Sequence, residues 1–555
     1  MNFGTCVSTG NPFDAAAGAP RRRLLRFALA ITAVLVAPTS LANNGDLDKS
    51  FGAFHIKGSC CQTYNVSMVL QSDGRAVVGG TFYDGNGNNY WAVFRRNPNG
   101  TPDTSFGGGT GQVIFGIGET SNGKYSSQLF GLTVQPNGKI IAVGNALETG
   151  IGQAFHLVRL LPDGSFDPSF GNGGDVIVAQ NGGFELLALQ EDGKIVLAGA
   201  SNNGGSTYVP AALRYTTTGL LDTSFGTGGV SWMPGNRPAG ASNEAWGLAI
   251  RPDGSIVVAV MQEAVYLTDQ AEVIQLTKDG LLDTSFGTGG VSVFGVGSTS
   301  LSSYPGFTIR PDGEIAGIAR TRVSGGGFTS EGFVYRLFRD GTVAGWSTLS
   351  IPNVANLGAT PVGQLLFTQG TDQQHLLTGR LNANGGDDTT FTNSDGDQGV
   401  VVTAFPKRSL PGMTSVAIQD NGRFVVAGSD GEVLMARYYG DPLVLKPAAF
   451  AFTNATGVPT STVEVSNIIT ISGLTASALV PIQVVGGSYS INGDPFTKLL
   501  GYVKNGDRVM VKHTSAATSG TSVTTKLKVG GVSDPTSLWA IRGTQKVGTF
   551  TSTTQ

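Results

Sequence analysis

Charge is scarce in this 555-residue chain: Asp, Glu, Lys and Arg make up 14% of it, and the formal net charge is −3. Residues 1 to 42 hold Arg21, Arg22, Arg23 and Arg26 against Asp14, a net of +3 that leaves the remainder near −6. Phosphate backbones are bound through basic stripes, so nucleic acid is excluded as a partner. Histidine is as rare. His55, His156, His375 and His513 lie in different parts of the chain, none with a second His at metal-ligand spacing. His156, among alternating apolar neighbours, reads as structural. Cys6, Cys60 and Cys61 are the only cysteines, with no Cys-x-x-Cys pair and no zinc spacing. The neighbours Cys60 and Cys61 could close a vicinal disulfide, pair with another chain or stay reduced. No Gly-x-Ser-x-Gly elbow or phosphate loop is present. No segment keeps a helical apolar period beyond about two turns, which argues against helical repeats.

What the chain does have is repetition, with 82 glycines as its punctuation. Phe51, Phe106, Phe170, Phe225 and Phe286 are spaced by 55, 64, 55 and 61 residues, and a weaker copy surrounds Phe391. Between them recurs a polar turn followed by an apolar run, as in Ser72-Asp73-Gly74, Pro136-Asn137-Gly138, Glu191-Asp192-Gly193 and Pro252-Asp253-Gly254. Pro311-Asp312-Gly313, Pro361-Val362-Gly363 and Asp420-Asn421-Gly422 bring the copies to seven. Such pairs supply the positive φ of a tight hairpin turn between β-formers.

A third landmark is a strand ending in Arg: Arg95, Arg159, Arg214, Arg336, Arg380 and Arg437, with Gln275 in the remaining copy. At another fixed phase stand Asp48, Asp103, Asp167, Asp222, Asp283 and Asp388. One unit is then strand, Asp-Gly turn, strand, variable loop, Arg-bearing strand, Asp-x-Ser-Phe-Gly turn and fourth strand. Four antiparallel strands in about 60 residues, seven times over, suit an all-β, seven-bladed propeller. The chain enters the array mid-unit at Asp46–Gly52 and leaves after Tyr438-Tyr439, so the strand near Phe54–Ile56 is placed to complete the last blade. An open stack of the same units is the competing geometry.

The strings Leu221-Asp222-Thr223-Ser224-Phe225-Gly226-Thr227-Gly228-Gly229 and Leu282 to Gly290 resemble the bacterial delta-60 repeat family, a β-propeller domain of unknown function. The resemblance covers roughly residues 45 to 440 and implies a propeller-like scaffold on secreted or surface proteins, with no assigned reaction. The sixth copy departs, Asp340-Gly341-Thr342-Val343-Ala344-Gly345-Trp346 replacing the Phe-Gly turn, which leaves that unit's boundary open.

The basic cluster, the apolar run Leu24 to Val36 and Ser40-Leu41-Ala42 read as an export signal over 1–42, by the general or the twin-arginine route. The apolar run is short for a membrane span, and no later segment could cross a bilayer. The expected mature chain has a propeller over 43–442, a linker over 443–447 and, over 448–555, alternating strands without a Cys pair. Those strands, beginning with Ala449–Phe452, suggest an Ig-like β-sandwich. Tyr489-Ser490-Ile491-Asn492-Gly493 with Val503 to Val509 resembles bacterial surface Ig-like modules.

Two acidic stretches are weak calcium candidates, Asp84, Asn86 and Asn88, and Asp395 with Asp397; solvated turns are the simpler reading of both. A catalytic residue or bound cofactor is not discernible. Recurrence in nearly every unit marks the Arg and Asp series as scaffold, with a bidentate Arg–carboxylate pair expected to pin each third-strand turn. The expected role is an exported, non-enzymatic scaffold, extracellular, on the cell surface or periplasmic, binding an envelope component, polysaccharide or protein. Its variable loops are Tyr83 to Tyr90 and Ser201 to Tyr208, with Tyr83, Tyr90, Trp91 and Tyr208 as stacking candidates. The alternative is a secreted carbohydrate-active hydrolase or lyase using two propeller carboxylates.

Overall fold

The computed structural model describes residues 42–555 apart from 52–53, 57–62, 121–122, 179–181, 203–207, 235–242, 263–270, 295–299, 323–331, 350–353, 355, 371–374, 405–411, 430–432, 534–540 and 543–544. Residues 1–41, which hold nearly all of the expected export signal, and Cys60 and Cys61 lie outside the described residues. The chain divides into Met1–Ala42 and Asn43–Gln555, and the second unit is the subject here. Its described secondary structure is all β-strand, and no described helix is long and apolar enough to cross a membrane.

Asn43–Tyr438 forms seven four-stranded antiparallel sheets among the described residues, one per sequence repeat. Units 1 to 6 take their strands from 63–115, 127–177, 182–232, 243–294, 300–348 and 356–404. Unit 7 takes three strands from 412–438 and its fourth, Phe54–Ile56, from the beginning of the chain, in antiparallel register with Val433–Met435. The first strand of each unit is innermost, touching the first strand of the next unit, and the strand of unit 7 touches that of unit 1.

Each sheet is covered on both faces by its neighbours, which explains second strands with no exposed side, such as Ile195–Ser201. Seven apolar clusters lie between consecutive units. One joins Val69, Val77 and Trp91 of unit 1 to Leu129, Ile140 and Val158 of unit 2, and another joins Val425 and Met435 of unit 7 to Val66 and Val78 of unit 1. Each Val, Leu or Ile so enclosed contributes roughly 1.5–3 kcal/mol. The Phe anchors belong to these seams: Phe106, Phe170 and Phe225 are fully buried. A Cβ on Gly164 would stand 2.9 Å from Phe106 and one on Gly280 2.6 Å from Phe225, and both glycines have positive φ. In units 2 to 5 the glycine after the third strand (Gly164, Gly219, Gly280, Gly341) therefore makes room for the Phe of the preceding unit.

The departing sixth copy is the end of unit 5. A tight turn with Phe338 N–H donating to Thr342 O (2.8 Å) leads straight into the fourth strand Val343–Thr348. The boundary left open in the sequence falls there.

Beyond Gly440 the chain forms two further sheets around a common core. Val480, Ile482, Leu527 and Val529 of one pack against Ile469, Tyr489, Val509 and Val511 of the other. The expected strand Ala449–Phe452 is not a strand: Phe452 is buried in this core, but the segment's backbone makes no sheet pairing.

This C-terminal domain sits on the side of the ring that carries the Asp-Gly turns. Leu479 N–H donates to Pro361 O of unit 6 (3.0 Å), Val362 packs on the domain's core, and Leu500 joins the cluster between units 3 and 4. Gln483 and Lys528 face the turns of units 1 and 2 across a cleft of about 820 Å³. Contacts with units 1, 2, 3, 4 and 6 place the domain across one face, and among the described residues no element lies across the opposite, open face.

Candidate functional site

The covered face is a repeated ionic framework. In unit 3, Arg214 Nε donates to Asp222 Oδ2 (2.8 Å), Nη2 to Ser224 Oγ (3.2 Å) and Nη1 to Lys278 O of unit 4 (2.7 Å). Asp222 Oδ1 accepts from Ser224 N–H and Oγ–H, closing its own turn (3.1 and 2.6 Å). The guanidinium also lies over Phe225, 4.7 Å from the ring centroid. Arg95–Asp103, Arg159–Asp167, Arg380–Asp388 and Arg437–Asp48 repeat the Nε contact at 2.7–2.9 Å. The bidentate pair expected from the sequence is thus corrected except at Arg437, whose Nε and Nη2 both reach Asp48 Oδ2 (2.9 and 2.8 Å). The guanidinium fork is divided among a carboxylate, a hydroxyl and, in units 1, 2, 3 and 7, a carbonyl of the next unit (Pro162, Thr217, Lys278, Pro98). Each such Arg staples its unit to the next. Arg437–Asp48 does so across the chain's two ends.

Burial by itself would raise these carboxyls. In Asp222 the hydrogen bonds from Ser224 and Lys194 and the charge of Arg214 outweigh it and hold the group well below the ordinary carboxylate range. Asp167, with Lys139, Ser169 and Arg159, behaves alike.

Unit 4 departs by exchange from the arrangement of unit 3. In unit 3, Gln190 Oε1 accepts from Arg214 Nη1 (3.1 Å). In unit 4 the amide and the guanidinium trade places: Gln275 Nε2 donates to Asp283 Oδ2 (2.7 Å), and the cation is Arg251, whose Nη1 reaches Gly313 O (3.0 Å). Burial pushes Arg251 down to about 10, and the nearby Asp253 and Asp283 offset part of that. Arg336 of unit 5 has no Asp at the expected phase. Glu314 takes over the negative role, 3.7 Å from Arg336 and paired with Arg310.

Neither calcium candidate gathers oxygens around a common centre. Asp84 Oδ1 accepts from the Asn86 and Asn88 N–H groups (2.7 and 3.1 Å) and Oδ2 from Asn88 Nδ2 (2.7 Å), while Lys124 Nζ donates to Asn86 O (2.9 Å). Asp397 Oδ2 accepts from Asn393 Nδ2 and Val402 N–H (2.9 and 3.0 Å), and Asp395 is exposed. Among the described residues no three His, Cys, Asp or Glu are grouped to hold a metal. His156, with 0% exposure, is a clasp within unit 2: Nδ1 lies 3.0 Å from Asp175 Oδ2 and Nε2 3.3 Å from Glu148 Oε1. Of the four aromatic candidates, Trp91 is ruled out as a ligand platform, being fully buried between units 1 and 2. Tyr90 packs on Tyr125 at 5.3 Å.

The open face is built differently. A concavity of about 660 Å³ lies there where units 2, 3 and 4 meet, at the starts of the inner strands. Inner strands carry β-bulges there, and a bulge re-aims a side chain that regular pleating would bury. In unit 3, Phe184 and Glu185 lie between the pairs Gly183–Ala200 and Leu186–Ala198, opposite the single Gly199. Phe184 turns into the core while Glu185 faces out. In unit 4, Ala245 pairs with Val260 and Gly247 with Ala259, so Trp246 is the extra residue. Gly247 is required beside it, since a Cβ there would stand 2.7 Å from Phe307 of unit 5.

Trp246 is 39% and Tyr208 43% exposed, and both line the cavity with Asn145, Gln153, Asn202, Glu185 and Glu244. Glu185 keeps accessible surface, but that surface faces a concave wall. Enclosure, and then the charge of Glu244, raise its carboxyl above the ordinary range. Among the described residues the lining contains no Lys, Arg or His. Of these residues the sequence reading had named only Tyr208. The aromatic–glycine pairs Phe130-Gly131 and Trp246-Gly247 at the bulges were the signal available for the rest.

Residues 71–106, 135–170 and 190–225 match the family model described as Domain of unknown function (DUF5122) beta-propeller. Each segment runs from the end of an inner strand to the Phe anchor, the part of a unit that builds the covered face. No curated protein matches. Similar solved structures include polysaccharide lyase Uly1, at 12% identity over 68% of this chain and 90% of that one, with a TM-score of 0.44. Penicillium chrysogenum alpha-L-arabinanase complexed with arabinobiose gives 13%, 73%, 100% and 0.37 for the same quantities, and Drosophila Semaphorin 2a gives 8%, 91%, 97% and 0.42. Likeness at this level carries no argument about activity.

Proposed function

We propose that this chain is an exported binding scaffold: a closed seven-bladed propeller with an Ig-like C-terminal domain, presenting its open face to an envelope component outside the cytoplasm. The observation that carries the reading is the division of labour between the faces. One is saturated with internal ion pairs and covered by the C-terminal domain, and the other holds a cavity of about 660 Å³ with two half-exposed aromatic side chains. Ligand sites are typically concavities of this size with a few polar groups. The test is saturable retention of the full chain on polysaccharides and isolated envelope fractions. Absence of retention on all of them refutes the scaffold reading.

A second reading, a carbohydrate-active hydrolase, is favoured by one observation: Glu185 stands beside Glu244 with its carboxyl raised, as a general acid beside a base requires. Release of new reducing ends by the wild-type chain, lost in Glu185→Gln, would establish it. Retention without release leaves the scaffold reading in place.

A further inference from the structure

We propose that the open-face cavity recognises an uncharged sugar chain and rejects polyanionic ones, an assignment that rests on the scaffold reading and gives it a ligand class. The first support is the aromatic wall. An indole and a phenol each about two-fifths exposed, in a concavity rather than on a convex surface, offer flat apolar areas to a flat partner. A sugar ring has such a face in its C–H groups. Trp246 is the extra residue of a bulge, two positions after the exposed Glu244 of the same strand, so the platform is built into the backbone.

The second support is the polar complement. The amides of Asn145 and Gln153 carry both donors and acceptors, which suits hydroxyls that both give and receive hydrogen bonds. Glu185 and Glu244 add acceptors for hydroxyl protons. The third is sign. With two carboxylates and, among the described residues, no cation in the lining, a uronate or sulfate would enter a negative field, whereas a neutral ring meets no such barrier. The cavity's size suits roughly two or three sugar rings by the usual volumes of ligand sites.

The full chain should be passed over dextran, galactan and mannan, and in parallel over polygalacturonate and alginate, at fixed ionic strength. At least one neutral polymer should retain it ten-fold or more above either polyanion. Trp246→Ala should weaken that retention at least ten-fold without moving the thermal transition, and Trp246→Phe should restore much of it. Glu185→Gln combined with Glu244→Gln should raise retention on polygalacturonate several-fold. Equal or stronger retention of the wild type on the polyanions, or unchanged retention in Trp246→Ala, overturns the assignment. If an envelope fraction holds the chain and no neutral polymer does, the ligand class is wrong while the scaffold reading survives. If nothing holds it, both fall.

Discussion

The two faces of this ring share the same strands yet follow opposite rules. On the covered face every carboxylate of the Asp series except that of Asp283 meets a guanidinium, and the pattern returns unit after unit. On the open face the side chains at the bulges differ in each unit, Phe130 in one, Glu185 in the next, Trp246 in the third. Sameness holds a ring of like units together; binding needs a surface that is not the same all the way round. Units 3 and 4 refine the point, since Arg and Gln exchange strands between them. What the framework requires is a buried carboxylate with one cation and one further donor nearby, not a particular residue at a particular place.

The comparison breaks most severely if Asp222 proves dispensable. Asp222→Ala leaves Arg214 buried without its anion and should cost about 3–5 kcal/mol in denaturant unfolding, with ligand retention per folded molecule unchanged. A loss under 1 kcal/mol would show that the stapling is ornamental. Next in size is acid. Asp48, Asp103, Asp167, Asp222 and Asp388 all have folded pKa values below the ordinary value, burial being outweighed by hydroxyl hydrogen bonds and the adjacent guanidinium. Below about pH 4 the unfolded chain therefore takes up protons that the folded chain does not. The stabilisation is complete above that pH and drains away as pH falls through it, and a melting temperature flat from pH 6 to pH 3 would contradict this.

Smaller is the exchange in unit 4. Arg251→Gln removes the cation near Asp283 and should cost about 1–2 kcal/mol, while Arg251→Gln with Gln275→Arg, which recreates the unit 3 arrangement, should recover most of it. Strict additivity in that double-mutant cycle would deny the exchange. Smallest is Glu185→Gln. The raised carboxyl disfavours the charged form, so the wild type loses a little stability as pH rises through and above the ordinary glutamate range. The substitution should remove that slope and gain no more than about 0.5 kcal/mol at neutral pH, because the group is largely solvated.

The same contrast explains what could be read from the sequence. The all-β propeller architecture and its four-stranded units were legible because turns, Arg and Asp recur at fixed phase, and three of those recurring stretches are what the family model matches. The second donor of each guanidinium was not legible, since it reaches a carbonyl of the next unit, and such contacts carry no side-chain signature. Trp91 misled because a lone aromatic near a variable loop looks available, while its place in a third strand aims it between units. Trp246 and Glu185 escaped notice for the opposite reason. Each stands in an inner strand of mostly apolar residues enclosed by neighbouring units, so in the sequence it looks buried.

The strand Phe54–Ile56 pairs with Val433–Met435, and Asp48 meets Arg437, 389 positions later. A line of repeats with its ends joined in this way has no first member: the seam in unit 7 is only one of the places where such a circle could be cut. A circular permutant opened at another connection between units, with the old seam made continuous, should build the same ring. A chain that stops anywhere short of Tyr438 keeps two raw edges facing each other, each able to recruit a stranger's strand.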